Sequence, residues 1–134
     1  MKNKRVLLGI VCFMSIISSI IGCNDPNYGY VIGKVLIDGE LAQKGLVVRF
    51  HPQVSGGSFS TGITDDHGNY EMYFSITKKG VQVGSNKITV EYPEGDGLPK
   101  TPEFLNKYNE SPLVYNVKSG RQNYDIKIDI KSKK

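Results

Sequence analysis

The chain is poor in the residue types from which most catalytic centres are built. Among 134 residues it has two cysteines, two histidines and no tryptophan. A catalytic zinc ion needs three protein ligands and an open position. His51 and His67 supply two, and a third would have to come from Asp65 or Asp66. We therefore predict no catalytic residue, no metal and no cofactor, and keep a small metal-dependent hydrolase as an unfavoured alternative.

The N-terminus has the pattern of a bacterial export signal. Basic residues among the first five precede Val6–Ile21, an uncharged run shorter than the roughly 20 residues of a membrane span. The residues Ile20–Cys23 resemble a lipobox, in which cleavage follows a small residue and the next cysteine is acylated. We predict cleavage after Gly22 and lipid attachment at Cys23. An uncleaved transmembrane anchor and plain secretion are the alternatives.

Neither free thiols nor excess charge remain after this leader is removed. Cys12 leaves with the leader and Cys23 carries the lipid, so no cysteine is left for a disulfide or a nucleophile. The leader also holds three of the 17 basic residues, against 13 acidic residues in the chain. The formal net charge of +4 therefore does not indicate a nucleic-acid partner.

The segment Asp65–Asn69 is the richest cluster of oxygen ligands in the sequence. A calcium site requires six to eight oxygens, and this segment lacks the EF-hand spacing and a nearby bidentate glutamate. Aspartate, glycine and asparagine are also the residues that a tight reversal needs. We predict a hairpin turn here and keep a cation site at Asp65, Asp66 and His67 as the alternative.

Two-residue alternation of apolar and polar side chains runs through the mature chain and predicts half-buried strands. Around the turn at Asp65–Asn69 it predicts a central hairpin. The apolar faces predicted for this hairpin are Phe59, Thr61 and Ile63 on the first strand and Tyr70, Met72, Phe74 and Ile76 on the second.

Seven short strands separated by Gly, Pro and Asp predict an all-β, antiparallel sandwich. One short helix is predicted near 101–108, with Thr101 as its N-cap. Gly33 marks a bulge or a close backbone approach. Besides the hairpin, the predicted strands are Tyr30–Asp38, Leu46–His51, one around Ile88–Tyr92, Leu113–Val117 and Tyr124–Lys131.

A series of short motifs follows the strands in order. The motifs are Val31-x-Gly33-x-Val35, Asp38-Gly39, Gly45-x-x-Val48-x-Phe50-x-Pro52, Thr64-Asp65-x-x-Gly68-x-Tyr70 and Gly84-x-x-x-Ile88-x-Val90. Their order resembles carboxypeptidase-regulatory-like domains and the small transthyretin-like lipoproteins of bacterial envelopes. The resemblance implies a seven-stranded prealbumin-like sandwich that is an accessory module without catalytic residues. Asn86 departs from the pattern, because these domains often carry an aromatic residue or histidine there.

The eight tyrosines raise the alternative of a sugar-stacking platform. Tyr70, Tyr92 and Tyr124 fall on core-facing positions, whereas Tyr73 and Tyr115 are predicted to point outward. A platform would need several outward aromatic rings on one face of a sheet. We keep a carbohydrate- or peptide-binding module as the second functional hypothesis.

The first hypothesis is a non-catalytic, lipid-anchored domain of the cell envelope, either periplasmic or facing the cell surface. Acyl chains on Cys23 attach it to a membrane, and the loops Gln53–Gly57 and Pro93–Thr101 contact an unknown envelope protein or glycan. No nucleic acid is involved. The predicted divisions are the signal peptide 1–22, the lipidated tether 23–29, the sandwich 30–131 and a basic tail 132–134.

Overall fold

The computed structural model describes residues 25–98, 100–110 and 112–130. The predicted signal peptide, the cleavage site after Gly22, the lipid site at Cys23 and the tail 132–134 lie outside these residues. The described chain forms ten short strands and one helix. They are β1 (Tyr28–Ile37), β2 (Glu40–Leu41), β3 (Val47–Pro52), β4 (Ser60–Ile63), β5 (Asn69–Glu71), β6 (Val81–Gln82), β7 (Gly84–Glu91), α1 (Glu103–Glu110), β8 (Leu113–Val117), β9 (Gly120–Asn123) and β10 (Ile126–Ile128).

The long strand β1 is the centre of the larger of two sheets. Along one side it pairs antiparallel with β6, β5 and β2, and along the other it pairs parallel with β9 and β10. The smaller sheet has the antiparallel order β4-β3-β7-β8. The predicted all-β sandwich with one short helix is confirmed. No helix in the described part of the chain is long and apolar enough to cross a bilayer.

The structure has more strands than the seven predicted, partly because β9 forms before the last predicted strand, which begins at Tyr124, and a break in the pairing with β1 separates β9 from β10. There the backbone N–H of Tyr124 donates to Ile32 O at 2.9 Å. The carboxylate of Asp125 accepts the N–H of Lys34 at 3.0 Å, where a ladder bond would otherwise form. Neither strand has an extra residue at this break, because Ile32 pairs with Asn123 and Val35 pairs with Ile126. The two-residue alternation therefore continues through the break, and the sequence pattern does not reveal it.

Gly33 makes the close backbone approach that the sequence predicts. The carbonyl group of Tyr124, between β9 and β10, lies against Gly33, and a Cβ atom at Gly33 would overlap its oxygen and lie 2.7 Å from its carbon. The buried Tyr70, paired with Gly33 across the sheet, donates its hydroxyl to the same oxygen. A side chain at position 33 would therefore separate β1 from the backbone of Tyr124.

The predicted central hairpin is wrong, although its turn forms. β4 pairs with β3 in the smaller sheet, whereas β5 pairs with β1 in the larger one, so the turn carries the chain from one sheet to the other. Thr61 and Tyr73 join the two sheets by two backbone hydrogen bonds of 2.9 Å. The predicted apolar face of β4 is inverted: the side buried in the sandwich carries Ser60, Gly62 and Thr64, and the exposed side carries Phe59 and Ile63.

The buried hydroxyl of Thr64 explains this inversion. It donates to Gln43 O at 2.6 Å and accepts the N–H of Leu46 at 2.9 Å. Together with the backbone bonds that Thr64 makes to Gly45 and Leu46, these bonds satisfy the backbone of the segment that leads into β3. Because buried backbone groups must be paired, the polar residue takes the inward position and its apolar neighbour Ile63 points to solvent.

In the second half of the predicted hairpin, the residues predicted to point inward are buried only as far as Met72. Tyr70 and Met72 are buried, but β5 ends at Glu71 and Ile76 is 99% exposed. The chain reverses after Phe74, whose N–H donates to Lys78 O at 2.8 Å. Ile130 is likewise exposed rather than inward, because β10 ends at Ile128.

The helix α1 covers an edge of β7 that no strand occupies. β8 pairs with β7 only as far as Ile88. Beyond that point the side-chain amide of Asn109 accepts the N–H of Val90 at 3.0 Å and donates to Val90 O at 2.9 Å. One side chain of the helix thus replaces a strand partner and fixes α1 to the sheet.

The predicted role of Thr101 as N-cap is wrong. Its hydroxyl accepts the N–H of Tyr92 at 3.2 Å and so extends the covering of the same edge. The helix starts one residue later than predicted, and the carbonyl of Pro102 accepts the first bonds, from Leu105 and Asn106. The sequence pattern for a cap was present, but the unpaired edge of β7 competes for the hydroxyl.

The core lies between the sheets, with Phe50 near its centre. The Phe50 ring centroid lies 6.4 Å from those of Tyr70 and Tyr115. Tyr115 was predicted to point outward, but it is half-buried, stacks on Tyr124 at 4.1 Å and donates to Gln122 Oε1 at 2.9 Å. The largest fully buried side chains are Val31, Val35, Leu46, Val48, Phe50, Met72, Val81, Ile88, Val90, Leu105, Val117 and Ile126.

The two ends of the sandwich carry different loops. The end where the described chain begins, called the tether end, includes Asn27, whose carbonyl accepts the N–H of Val83, and the loop Gln53–Gly57, bonded to Ser85. The opposite, distal end includes the turn after β1 and the loop Pro93–Thr101, which follows β7. The two loops predicted to contact a partner therefore lie at opposite ends.

Candidate functional site

The two histidines lie in separate local environments. His51, at the end of β3, has its Nε2 atom 2.9 Å from Thr89 Oγ1, and burial lowers the pKa of His51, with a further contribution from the charge of Arg49. His67 is exposed in the turn between the sheets. Within the described residues, no group of three His, Cys, Asp or Glu side chains is placed to hold a metal ion.

The carboxylate of Asp65 stabilises the turn in which it lies. Its Oδ1 accepts the N–H of His67 at 2.8 Å and that of Asn69 at 2.9 Å, and these two bonds lower the pKa of Asp65. Asp66 is exposed, with an oxygen 3.9 Å from Lys44 Nζ. The predicted turn is confirmed, and the oxygen atoms of its first aspartate are directed at the backbone.

An open groove of about 610 Å³ on the outer face of the larger sheet is the candidate functional site. Its floor is formed by the outward side chains of three paired strands, with β4 along one wall. The pairing places Tyr30 beside Arg121 and Ile32 between Glu71 and Asn123. The site thus combines aromatic, charged and amide side chains on one face.

A charge cluster occupies one end of the groove. Lys79 Nζ lies 2.6 Å from Glu71 Oε1, and Tyr73 donates its hydroxyl to the same oxygen at 3.2 Å. The hydrogen bond to Lys79 is the main cause that lowers the pKa of Glu71 and, in turn, raises the pKa of Lys79. Desolvation, followed by a hydrogen bond to Glu71, raises the pKa of Tyr30. Tyr30 therefore remains a neutral donor at physiological pH.

Two cations flank the ring of Tyr30. Lys79 Nζ lies 5.8 Å and Arg121 Cζ 5.6 Å from its centroid, within the range of cation–π attraction. Unlike Lys79, Arg121 has no carboxylate within salt-bridge distance among the described residues. Its guanidinium is exposed and can bind a carboxylate or a hydroxyl group.

Only part of this site was predictable from the sequence. The alternation predicts that Tyr73 points outward, and Tyr73 does lie in the groove, whereas Tyr115 packs inside the sandwich. The roles of Lys79 and Arg121 were not predicted. Arg121 belongs to β9, whereas the alternation predicted that the last strand begins only at Tyr124. The turn residue Gly120 was the signal in the sequence that a strand begins before Tyr124.

Comparison with known proteins identifies a similar fold but no activity. No protein-family model and no curated protein matches the sequence. In structure, the chain is similar to a DUF3823 family protein from Parabacteroides merdae ATCC 43184, with 10% sequence identity and a TM-score of 0.50. The match covers 78% of this chain and 47% of that one, so this chain spans about half the length of that protein. At this identity, the likeness shows a β-rich fold in common.

Proposed function

We propose that the chain is a non-catalytic, lipid-anchored domain of the cell envelope, with acyl chains on Cys23 in a membrane. The observation that carries this proposal is the position of Asp25, two residues after Cys23 and at one extreme end of the sandwich. Two residues span about 7 Å, so an anchored Cys23 holds the tether end at the bilayer. The distal end and the loop Pro93–Thr101 then point away from the membrane, toward an envelope protein.

We further propose that the chain is a diverged relative of the transthyretin-like and carboxypeptidase-regulatory-like domains. The support is the order of the sequence motifs along the strands. The motif glycine Gly33 lies where only a residue without a Cβ fits, so this position follows from the geometry of the fold. Such relatives are accessory modules, which agrees with a role in display or interaction.

The anchoring proposal predicts that the protein fractionates with membranes through one thiol. Cys23→Ala should move the protein from the membrane pellet to the soluble fraction or block its processing, because two or more acyl chains are required for stable attachment. Cys12→Ala is the matched control and should leave the protein in the pellet. A Cys23→Ala protein that is processed and still sediments with membranes would contradict the proposal.

A second candidate function is carbohydrate binding in the groove of the larger sheet. Tyr30 and Tyr73 supply rings for stacking, and Arg121 supplies donors for a hydroxyl or carboxylate. This arrangement meets the requirement for outward aromatic residues gathered on one face. A peptide with an acidic side chain would bind to the same groups.

The groove hypothesis predicts binding that depends on Arg121. On an array of glycans, peptidoglycan fragments and acidic peptides, Arg121→Gln should weaken any binding about tenfold or more, because a charge-assisted hydrogen bond contributes about 1.5–3 kcal/mol. Lys127→Gln, an exposed cation on β10 outside the groove, should bind like the wild type. Absence of binding across the array would remove this candidate and leave the first one intact.

A further inference from the structure

The turn Phe74–Lys79 exposes an apolar side chain at the tether end of the molecule. Ile76 lies at its tip and is 99% exposed. The turn is closed by Phe74 and Ser75, whose N–H groups both donate to Lys78 O at 2.8 and 3.2 Å. Solvent-exposed turns usually carry Gly, Asn, Asp or Ser at such positions. A β-branched aliphatic residue at the tip adds nothing to folding, since it contacts nothing.

This turn is held firmly against the start of the domain. The rings of Phe74 and Tyr28 meet edge to face at 4.7 Å. Lys78 Nζ lies 4.6 Å from the Tyr28 centroid and 3.7 Å from Asp25 Oδ2. Because Asp25 follows Cys23 by two residues, the tip of the turn stays within a short distance of the predicted lipid site.

The surroundings of the turn are basic. Lys78 and Lys79 belong to the turn. Lys118 lies between β8 and β9, and its backbone is next to Gly29, the second residue of β1. The acids nearby, Asp25 and Glu71, are each paired with one of the turn lysines. A further exposed apolar residue, Val54, lies in the loop at the same end. The tether end thus combines exposed aliphatic groups with three lysines against two carboxylates, an excess of one positive charge.

We propose that the Phe74–Lys79 turn is a second membrane contact, which inserts Ile76 into the interface of an anionic bilayer while its lysines meet the lipid headgroups. This inference rests on the proposed lipid anchor at Cys23. The anchor selects the occupant, because it brings a bilayer to this end before any diffusing partner can reach it. Interfacial apolar groups enter to about 5–10 Å and basic residues favour anionic lipid. The contact orients the sandwich with its distal end away from the membrane.

Fluorescence of a single tryptophan tests this contact, because the natural chain has none. The full lipidated protein with Ile76→Trp is reconstituted into vesicles of phosphatidylethanolamine and phosphatidylglycerol, with or without phosphatidylcholine brominated near the top of its acyl chains. Leu41→Trp is the matched control. Leu41 is a half-exposed apolar residue paired with Leu36, roughly 25 Å along β1 from Tyr28. Both variants should keep the wild-type thermal midpoint.

Insertion predicts that the emission of the Ile76→Trp protein shifts to shorter wavelength and loses most of its intensity with brominated lipid, while the emission of the Leu41→Trp protein does not change. Vesicles that carry the Ile76→Trp protein but leave its emission unquenched would overturn the contact while the anchor stands. Equal quenching of both variants would also overturn it, because the domain would then lie on its side. A protein that does not float with the vesicles would overturn the lipid anchor, and this inference with it.

Discussion

Gly33→Ala is expected to lower the free energy of unfolding by at least about 3 kcal/mol. The added Cβ would overlap the carbonyl oxygen of Tyr124 and lie 2.7 Å from its carbon and 3.0 Å from a ring carbon of Tyr70. The carbonyl belongs to the backbone between β9 and β10, which cannot rotate away as a side chain could. Relief of the overlap would pull β1 from this segment and break the bond from the Tyr70 hydroxyl to the same oxygen.

Urea unfolding of the two proteins measures this loss, with Gly95→Ala as the control. Gly95 is in an exposed loop, and a Cβ there would meet only the end of the flexible Leu98 side chain, at 2.9 Å. The control should change the free energy of unfolding by no more than about 0.5 kcal/mol. If Gly33→Ala unfolds at the same urea concentration as Gly95→Ala, the described packing of β1 against Tyr124 is wrong.

Phe50→Ala should lower the free energy of unfolding by about 3–5 kcal/mol. Phe50 is fully buried between the sheets, and its ring packs near those of Tyr70 and Tyr115. Removal of the ring deletes buried apolar surface and leaves a cavity that the rigid strands on both sides cannot fill.

The same substitution at Phe59 provides the comparison. Phe59 is 52% exposed, and its ring lies 5.6 Å from Arg49 Cζ, so Phe59→Ala should cost less than about 1 kcal/mol. Alternation in the sequence placed both phenylalanines on apolar faces, and only the structure separates them. Equal losses in thermal or urea unfolding would show that β4 faces the core as the sequence pattern first predicted.

The parts of the fold that local chemistry decides were predictable from the sequence. The aspartate-rich turn, the strand around Ile88 and the need for Gly33 follow from side-chain hydrogen bonds, alternation and glycine geometry. Each of these depends on a few neighbouring residues. The prediction of an all-β sandwich rested on the number of such short segments, and the structure confirms it.

Partner strands and burial depend on distant residues and could not be predicted in the same way. Alternation shows that Phe59 and Ile63 share a face, but not whether that face is inside. The decision came from Thr64, which must bond to Gln43 and Leu46. Similarly, nothing near Thr101 in sequence shows that the pairing of β7 with β8 stops at Ile88 and leaves the rest of this edge of β7 for Thr101 and Asn109 to cover.

The candidate groove was the hardest feature to predict. Its side chains come from β1, β5 and β9 and from the segment after β5, so the cluster exists only once parallel pairing places Arg121 beside Tyr30. The sequence pattern placed Lys79 just after a strand and Ile76 on the inward face of that strand. The chain instead reverses after Phe74, so that Lys79 pairs with Glu71, which lines the groove, and Ile76 is exposed to solvent.

The intact mass of the protein from its native membrane tests the lipid anchor most directly. We predict a polypeptide that begins at Cys23 and carries the added mass of two or three acyl chains, and this addition should be absent from Cys23→Ala. A protein that begins elsewhere, or that begins at Cys23 without added mass and is released into the medium, would contradict the anchor. Carbohydrate binding in the groove would then become the leading hypothesis.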